Sequence, residues 1–381
     1  MDLHARFPDL SDLRRRAKQR MPHFVWEFLD SGTGAERTKA RNRHALEQIL
    51  MQPSILHGEH TTDTRCELLG QSFPIPVGIA PIGMSGLIWP NAEFRLAEAA
   101  KRLGLPYTLS TVASQTPKAV SPYLGEHGWF QMYPPRDPDI RSKMLTQARN
   151  AGFSTLVLTV DVPVASRRER QVRSGLTAPP RMTPRLLAQI IMRPQWAIGM
   201  ARYGMPRMRL IDEYADNLTG LSSTAHAGYL LRTSPNWDYL HWLRDHWKGA
   251  LIVKGVMRAT DAARLEKAGA DAIWISNHAG RQFDGAQATI EALPTIRAVT
   301  NLPILIDSGF ETGLDILRGL ALGANFVMMG SAFHCALAAL GSAGPDHLVD
   351  ILKRDMDANM GQIGARDLSN LSSHLLPKAT P

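Results

Sequence analysis

A histidine and an arginine stand three residues apart in "ISNHAGRQFDG", residues 275–285, at the end of an apolar run. There His278 can accept a proton while Arg281 binds a carboxylate through two hydrogen bonds. Asp161, at the end of another apolar run, can hold the imidazole tautomer and stabilise its protonated form. These three residues suit removal of a proton from a hydroxy acid. The alternative is a structural histidine, as a lone histidine usually is.

Lys254 is harder to explain as a structural residue. It directly follows the apolar run "LIV", where a lysine costs free energy unless it meets an anion or an electron-rich ligand. Polar and glycine residues also end the other apolar runs, and for any one of them helix capping is an equally good explanation. These residues are Pro81 to Met84, Ser110, Gln131, Tyr133, Thr159, Ser276, Asp307 to Gly309, Gly330 and Ser331.

Eight short apolar runs must position these side chains. They end near residues 80, 110, 131, 159, 254, 276, 307 and 330, and amphipathic segments of helical length follow most of them. Strand and helix repeated eight times predict an α/β fold, a (β/α)8 TIM barrel with its active site at the carboxyl ends of the strands. A doubly wound open sheet is the alternative, and the count of eight favours the barrel.

The rest of the chain adds two features to the predicted barrel. Residues 1–60 contain helical periodicity and predict N-terminal helices. Neighbouring runs end 21 to 31 residues apart except after the fourth strand, where the two ends are 95 residues apart. We therefore expect a long insertion at residues 174–235 in loop 4, and one domain over residues 1–381.

Composition limits the class of protein. The chain is 44% hydrophobic and 20% charged, as expected for a globular protein with a large core. Two cysteines, Cys66 and Cys335, indicate a reducing cytoplasm rather than a disulfide framework. The N-terminus has no apolar signal region, and no run of 18 apolar residues predicts a spanning helix. We expect no metal site.

The net charge of +8 is concentrated in one segment. Residues 164–215 hold ten arginines against three acidic residues. Within them "PRLLAQIIMRPQWAIGMARYGM" mixes large apolar residues with arginines, as a monotopic membrane segment does. A basic oligomer interface or a solvated loop is the alternative. Nucleic-acid binding is not expected, because aromatic stacking residues are not interleaved with the arginines.

The motifs "SNHAGRQFDG", "LIVKG", "LIDSGF", "LTVDVPVASRRE" and "FQMY" resemble those of the FMN-dependent 2-hydroxy acid dehydrogenases and oxidases. The resemblance runs from about Asp9 to the end of the chain. Together with "APIGMSGLIWPNAE", the arginine-rich insertion looks most like the membrane-associated mandelate and L-lactate dehydrogenases.

The resemblance implies a role for each matching residue. His278 would be the catalytic base, supported by Asp161, and Arg281 would bind the substrate carboxylate. Tyr133 and Arg168 would complete the substrate site. The residues implied to hold FMN are Pro81, Ile82, Gly83, Ser110, Gln131, Thr159, Lys254, Ser276, Asp307, Ser308, Gly309, Gly330 and Ser331.

Three positions depart from the family pattern. Phe28 stands where a tyrosine usually helps to bind the substrate carboxylate. Glu311 and Ser331 replace two arginines that would serve the FMN phosphate. Each lost charge-assisted contact costs roughly 1.5–3 kcal/mol, so FMN is expected to bind less tightly. Backbone N–H groups near Gly309 and Gly330 could still bind the phosphate.

The resulting hypothesis is FMN-dependent oxidation of an L-2-hydroxy acid, resembling lactate or mandelate, to the 2-oxo acid. The electron acceptor is expected to be a membrane quinone or another acceptor, and the resemblance implies a homo-oligomer, a tetramer. The protein would be cytoplasmic, with a peripheral position on the inner membrane face if the insertion binds lipid. The alternatives are an oxidase that reduces oxygen to hydrogen peroxide and a barrel without flavin that acts in binding or regulation.

Overall fold

A closed barrel of eight parallel strands forms the centre of the protein in the computed structural model, which describes residues 2–176, 182–214 and 233–376. The predicted (β/α)8 barrel is confirmed, and the open-sheet alternative is wrong. Around the barrel the strand order is β10-β3-β4-β5-β6-β7-β8-β9, and β1 and β2 form a separate pair. The strands are β1 (Cys66–Leu68), β2 (Gln71–Phe73), β3 (Val77–Ile79), β4 (Tyr107–Ser110), β5 (Gly128–Met132), β6 (Thr155–Thr159), β7 (Ala250–Val256), β8 (Ala272–Ile275), β9 (Ile304–Ile306) and β10 (Phe326–Met329).

Side chains alternate between the inside of the barrel and the surrounding helices, because successive residues of a strand point to opposite faces. Val157, Ile252, Trp274 and Leu305 belong to a compact buried cluster that fills the barrel. Their sequence neighbours belong to the larger core between the strands and the helices. Both faces of each strand are therefore apolar, which explains why the strands appear in the sequence as continuous apolar runs.

The helices surround this barrel and extend it at the N-terminus and after β6. The described helices are α1 (Leu3–Arg6), α2 (Leu10–Arg20), α3 (His23–Asp30), α4 (Arg37–Glu47), α5 (Ser85–Ile88), α6 (Ala92–Leu103), α7 (Pro117–Val120), α8 (Pro138–Asn150), α9 (Glu169–Arg173), α10 (Pro184–Ile191), α11 (Pro194–Tyr203), α12 (Arg209–Asp212), α13 (Trp237–His246), α14 (Ala259–Lys267), α15 (Thr289–Arg297), α16 (Gly313–Ala321), α17 (Ser331–Leu340) and α18 (Gly344–Ile363).

The antiparallel pair β1–β2 closes one end of the barrel. Leu68 and Phe73 belong to the same buried cluster as the barrel interior, and the Phe73 ring packs edge-on against Phe326 at 5.2 Å between centroids. Leu69 and Gly70 turn the chain with φ of 52° and 73°. The pair precedes β3, so it lies at the end of the barrel opposite the carboxyl ends of the strands.

The N-terminal helices α1 to α4 bring the chain to the other, functional end. Asp9 caps α2, and α2 packs against α17. Helix α4 contacts the short 3-10 turn His278–Gly280, which follows β8. The helices end at Glu47, and residues 48–65 connect them to β1 without a further helix.

The long connection between β6 and β7 contains α9 to α13. Part of the predicted insertion 174–235, namely residues 177–181 and 215–232, lies outside the described residues. In the described ranges, no helix has both the length and the apolar character needed to cross a membrane.

Candidate active site

Five neighbouring strands end in polar side chains that form one buried layer. Ser110 donates to Gln131 (Oγ–Oε1 2.8 Å), and Gln131 donates to Thr159 (Nε2–Oγ1 3.0 Å). The Lys254 ammonium donates to Ser276 (Nζ–Oγ 2.6 Å). Strand register places Ser110 beside Gln131 and Thr159 beside Lys254, so the layer follows directly from the barrel. The structure therefore brings these five predicted FMN-binding residues together.

His278 and Asp161 form the hydrogen-bonded pair that the sequence suggested. Nδ1 of His278 lies 3.1 Å from Oδ2 and 3.3 Å from Oδ1 of Asp161. Burial acts to raise the pKa of Asp161, but the charges of His278 and Lys254 hold it below its usual value. Because the carboxylate is ionised, Nδ1 carries the proton and Nε2 is left as an acceptor.

The surroundings of His278 favour the neutral form of its imidazole. Burial lowers the pKa of His278, the charges of Lys254 and Arg168 add to that effect, and Asp161 opposes it. The backbone N–H of His278 donates to Ser276 Oγ at 3.1 Å, which ties the histidine to the polar layer. A neutral, oriented imidazole with a free Nε2 is suited to act as a general base.

Lys254 keeps its charge in a buried position because carboxylates face it. Its Nζ lies 3.3 Å from Oδ2 of Asp307. Burial acts to lower the pKa of the ammonium, but Asp307 and Asp161 raise it above its usual value. Asp307 is fixed in turn by the Trp274 indole N–H at 2.9 Å and the Ser308 hydroxyl at 2.6 Å. A permanent positive charge therefore lies at the mouth of the barrel.

Arg281 is held at the C-terminal end of α3 by three backbone carbonyls. Its guanidinium donates to Ser31 at 2.7 Å, Phe28 at 2.8 Å and Leu29 at 3.2 Å. Burial and the neighbouring charge of Arg168 lower the pKa of Arg281 to about 9, so it remains a cation at neutral pH. Two like charges lining one cavity favour an anion between them.

One cavity of about 980 Å³ contains most of the predicted site. Asp161 and Ser276 do not line it, but they contact His278 and Lys254, which do. Ser110, Gln131 and Thr159 belong to the polar layer beside Lys254 and do not line the cavity. The predicted residues that line it are Phe28, Pro81, Ile82, Gly83, Tyr133, Arg168, Lys254, His278, Arg281, Asp307, Ser308, Gly309, Gly330 and Ser331.

The backbone is strained around this cavity. Positive φ at non-glycine residues costs about 1–3 kcal/mol each and persists where the surrounding structure requires it, often at functional sites. Six non-glycine residues that line the cavity have φ between 45° and 77°. They are Glu36, Met84, Arg168, His278, Ala279 and Ser308.

The cavity fits a flavin mononucleotide. Its volume is at the upper end of the range of about 300–1,000 Å³ for ligand pockets, which leaves room for a small acid beside the cofactor. At Gly83 a Cβ atom would lie 2.5 Å from Val112 Cγ2, so only glycine lets the backbone follow this wall. Gly309, with φ of 99°, and Gly330, the cap of α17, leave backbone N–H groups for a phosphate.

The sequence did not single out several residues that line the same cavity. Arg14 of α2 and Lys39 and Arg43 of α4 line it together with Gly309 and Glu311. Trp26, Val162, Val172 and Met208 supply further apolar wall. A signal for Arg14 was present, since it stands four residues after Leu10 and three before Ala17, on the buried face of α2.

Comparisons with known proteins identify the family of this chain. A model of the family "FMN-dependent dehydrogenase" matches residues 17–378. L-Lactate dehydrogenase of Stenotrophomonas maltophilia (strain R551-3) is 38% identical over 367 residues, which are 95% of this chain and 96% of the relative. L-Lactate dehydrogenase of Ectopseudomonas mendocina (strain ymp) is 38% identical over 374 residues, 97% of this chain and 98% of the relative.

Solved structures give the same result. The monotopic membrane protein (S)-mandelate dehydrogenase superposes with a TM-score of 0.92 at 34% identity, covering 97% of this chain and 99% of that one. Mandelate oxidase with benzoyl-formic acid superposes with a TM-score of 0.81 at 29% identity, and the match covers 97% of this chain and 98% of the oxidase chain. With FMN as the cofactor of the matching family and a cavity that fits it, this chain is an oxidoreductase acting on CH–OH donors and belongs to the FMN-dependent dehydrogenase family.

Proposed function

We propose that this protein oxidises an L-2-hydroxy acid to the 2-oxo acid with His278 as the base and a membrane quinone as the electron acceptor. The observation that carries the proposal is that His278, paired with Asp161, lines the same cavity as Arg281 and Lys254. A proton acceptor, a carboxylate anchor and a cation for the cofactor are the groups that this reaction requires.

Each group has a defined part in the proposed reaction. Arg281 and Arg168, with Tyr133, bind the substrate carboxylate and orient the carbinol carbon. FMN, when bound, supplies the two-electron redox chemistry. Nε2 of His278 takes the hydroxyl or α-proton, and Asp161 stabilises the imidazolium that results. Lys254 binds the electron-rich edge of the cofactor. Tyr133 acts as a neutral donor, since burial and Asp161 raise the pKa of its phenol.

The wall around the substrate anchor supports a hydroxy acid with an apolar substituent. Phe28, Val162, Val172 and Met208 line the same cavity as Arg168 and Arg281. Phe28 also lies 5.9 Å from the Arg281 guanidinium carbon, so the ring takes the place of a polar partner there. An aromatic or branched side chain buries more apolar surface against this wall than the methyl group of lactate does.

The substrate is tested with a panel of L- and D-2-hydroxy acids, an electron-accepting dye and anaerobic conditions. We expect formation of the 2-oxo acid from L-acids, with mandelate and branched acids favoured over lactate in kcat/KM. Oxidation of D-acids alone, or of none of the panel, would refute the proposed activity. In air, hydrogen peroxide formed as fast as the dye is reduced would instead identify an oxidase.

An exposed apolar surface beside the cavity supports a membrane acceptor. Helices α10 and α11 pack inward through Leu186, Trp196 and Met200. Outward they expose Ile191 and Ile198, each at 67% of its surface. Arg185, Arg193, Arg202 and Arg207 belong to the same segment, and Met208 at its end lines the cavity. We name residues 182–208 the lipid-facing segment.

Substitution of Ile191→Glu together with Ile198→Glu is expected to abolish binding to vesicles that contain phosphatidylglycerol. Each apolar side chain that inserts contributes about 1.5–3 kcal/mol, so the double variant should lose at least about 100-fold in partitioning. Co-sedimentation measures this loss. Val299→Glu is the matched control, since Val299 is also exposed but precedes β9 at the opposite end of the barrel. Equal sedimentation of all three proteins would exclude the lipid-facing segment as the membrane contact.

A further inference from the structure

We propose that Arg14, carried by the N-terminal helix α2, is the cation that binds the FMN phosphate in this protein, and that Glu311 competes with the phosphate for it. This role of Arg14 in cofactor binding holds whichever hydroxy acid is the substrate. Arg14 would supply a cation for the phosphate where Glu311 and Ser331 replace the arginines of the family pattern.

Arg14 lies at the end of the cavity where the phosphate is expected. It lines the cavity with Gly309, Ser331 and Cys335, and its Nη1 lies 3.0 Å from Glu311 Oε1. Helix α2 reaches this point because it packs along α17, whose first turn offers backbone N–H groups to an anion. One guanidinium and a helix N-terminus therefore face the same space from two different segments.

Arg14 can be released to a phosphate at low cost. Its second partner, Asp30 (Nη2–Oδ1 2.7 Å), is also bound by Lys39 and Arg170, each at 3.1 Å. Asp30 therefore stays neutralised when Arg14 turns toward a ligand. Among the described residues, Glu311 forms an ion pair with Arg14 alone, and its side chain is 41% exposed, so water can take the place of that partner.

The other cations of this wall are already committed. Arg43 binds the fully buried Asp315 through both terminal nitrogens and also donates to the Gly309 carbonyl at 3.1 Å. Withdrawing Arg43 would break both of its hydrogen bonds to this buried carboxylate and leave Asp315 with Arg318 as its remaining cation among the described residues. That costs more than exposing Glu311 to water. Lys39 donates to the Asp30 backbone carbonyl as well as to its carboxylate. Arg14 is thus the cation that the phosphate can recruit.

Titration of the apoprotein with FMN and with riboflavin tests this assignment, because the two ligands differ only in the phosphate. Flavin fluorescence gives both dissociation constants without reference to turnover. We expect Arg14→Gln to weaken FMN binding by about 10- to 100-fold, the value of one charge-assisted contact, and to leave riboflavin binding unchanged. The control is Arg15→Gln, because Arg15 is 68% exposed and, within the part of the chain that the structure describes, its one ion pair is with Asp12.

The substitution Glu311→Gln tests the competition. Removal of a competing and repelling carboxylate should tighten FMN binding several-fold without a change for riboflavin. FMN binding that is unaffected by Arg14→Gln would overturn the assignment. An equal loss of affinity for FMN and for riboflavin would also overturn it, since it would mark a structural role for Arg14. Unchanged or weaker FMN binding in Glu311→Gln would overturn the competition. Loss of hydroxy acid turnover with these affinities intact would count against the proposed reaction instead.

Discussion

Replacing His278 with glutamine is expected to slow reduction of the bound flavin by an L-2-hydroxy acid by about 10²–10⁴-fold, the usual contribution of a general base. Nε2 of His278 is the acceptor left free by the bond from Nδ1 to Asp161. Glutamine keeps a polar side chain of similar reach but cannot accept the proton. Anaerobic stopped-flow absorbance measures the rate directly.

Two comparisons separate this role from a structural one. Dithionite should reduce the flavin of His278→Gln as it does in the wild type, which shows that the cofactor is bound and competent. Asp161→Asn should also slow reduction, but by less, because the base is still present and has lost only its orienting partner. Substrate reduction at the wild-type rate in His278→Gln would remove the histidine from the mechanism.

The pH dependence follows from the same pair. Burial lowers the pKa of His278 below the usual 6.5. The neutral base is therefore present at pH values above this lowered pKa and is lost as the pH falls through it. The acid limb of kcat/KM should therefore lie below pH 6.5. Asp161 acts to raise the pKa of His278. Asp161→Asn should therefore move the acid limb of the kcat/KM profile to still lower pH and reduce the kcat/KM of its plateau. A limb that moves upward in Asp161→Asn would contradict the assignment.

Replacing Arg281 with methionine is expected to lower kcat/KM for the hydroxy acid by about 10²–10⁴-fold, since two charge-assisted hydrogen bonds contribute about 3–6 kcal/mol. Most of the loss should appear as a higher KM, because the reaction does not change the carboxylate. Arg281 therefore binds it equally well in the ground state and in the transition state. Three backbone carbonyls fix the guanidinium, so the anchor is preorganised rather than recruited.

The amide of the same hydroxy acid provides a matched substrate. It lacks the charge that Arg281 binds, so the wild type should strongly prefer the acid, and Arg281→Met should lose that preference. Flavin content and the midpoint of thermal unfolding report any damage to the end of α3, where Phe28, Leu29 and Ser31 would lose their donor. A variant that still prefers the acid over the amide by the wild-type factor would contradict the anchor.

The barrel was predictable because its strands are buried on both faces. Each strand is a continuous apolar run with a polar residue at its end. That polar residue belongs to the site because the active site of such a barrel lies at the carboxyl ends of its strands. Lys254 and His278 could thus be assigned to one cavity from their positions alone. The β1–β2 pair was missed because three-residue strands are too short to show a period, and its turn depends on Leu69 and Gly70.

Contacts between side chains that lie far apart in the sequence were not predictable. In the sequence Glu311 indicated only the loss of an arginine contact to the phosphate, whereas in the folded chain Arg14, 297 residues away, forms an ion pair with it. The sequence does place Arg14 on the buried face of α2, but it does not say which helix covers that face. Packing of α2 on α17 decides this, and it is a property of the whole fold.

The most direct test of the account is anaerobic addition of one equivalent of an L-2-hydroxy acid to the purified flavoprotein. We expect loss of the visible flavin absorbance and one 2-oxo acid formed per flavin, with no bleaching by the D-acid. Absorbance that survives every L-acid but disappears with dithionite would contradict the central claim, because the flavin would then be present and the hydroxy acid would not be its reductant.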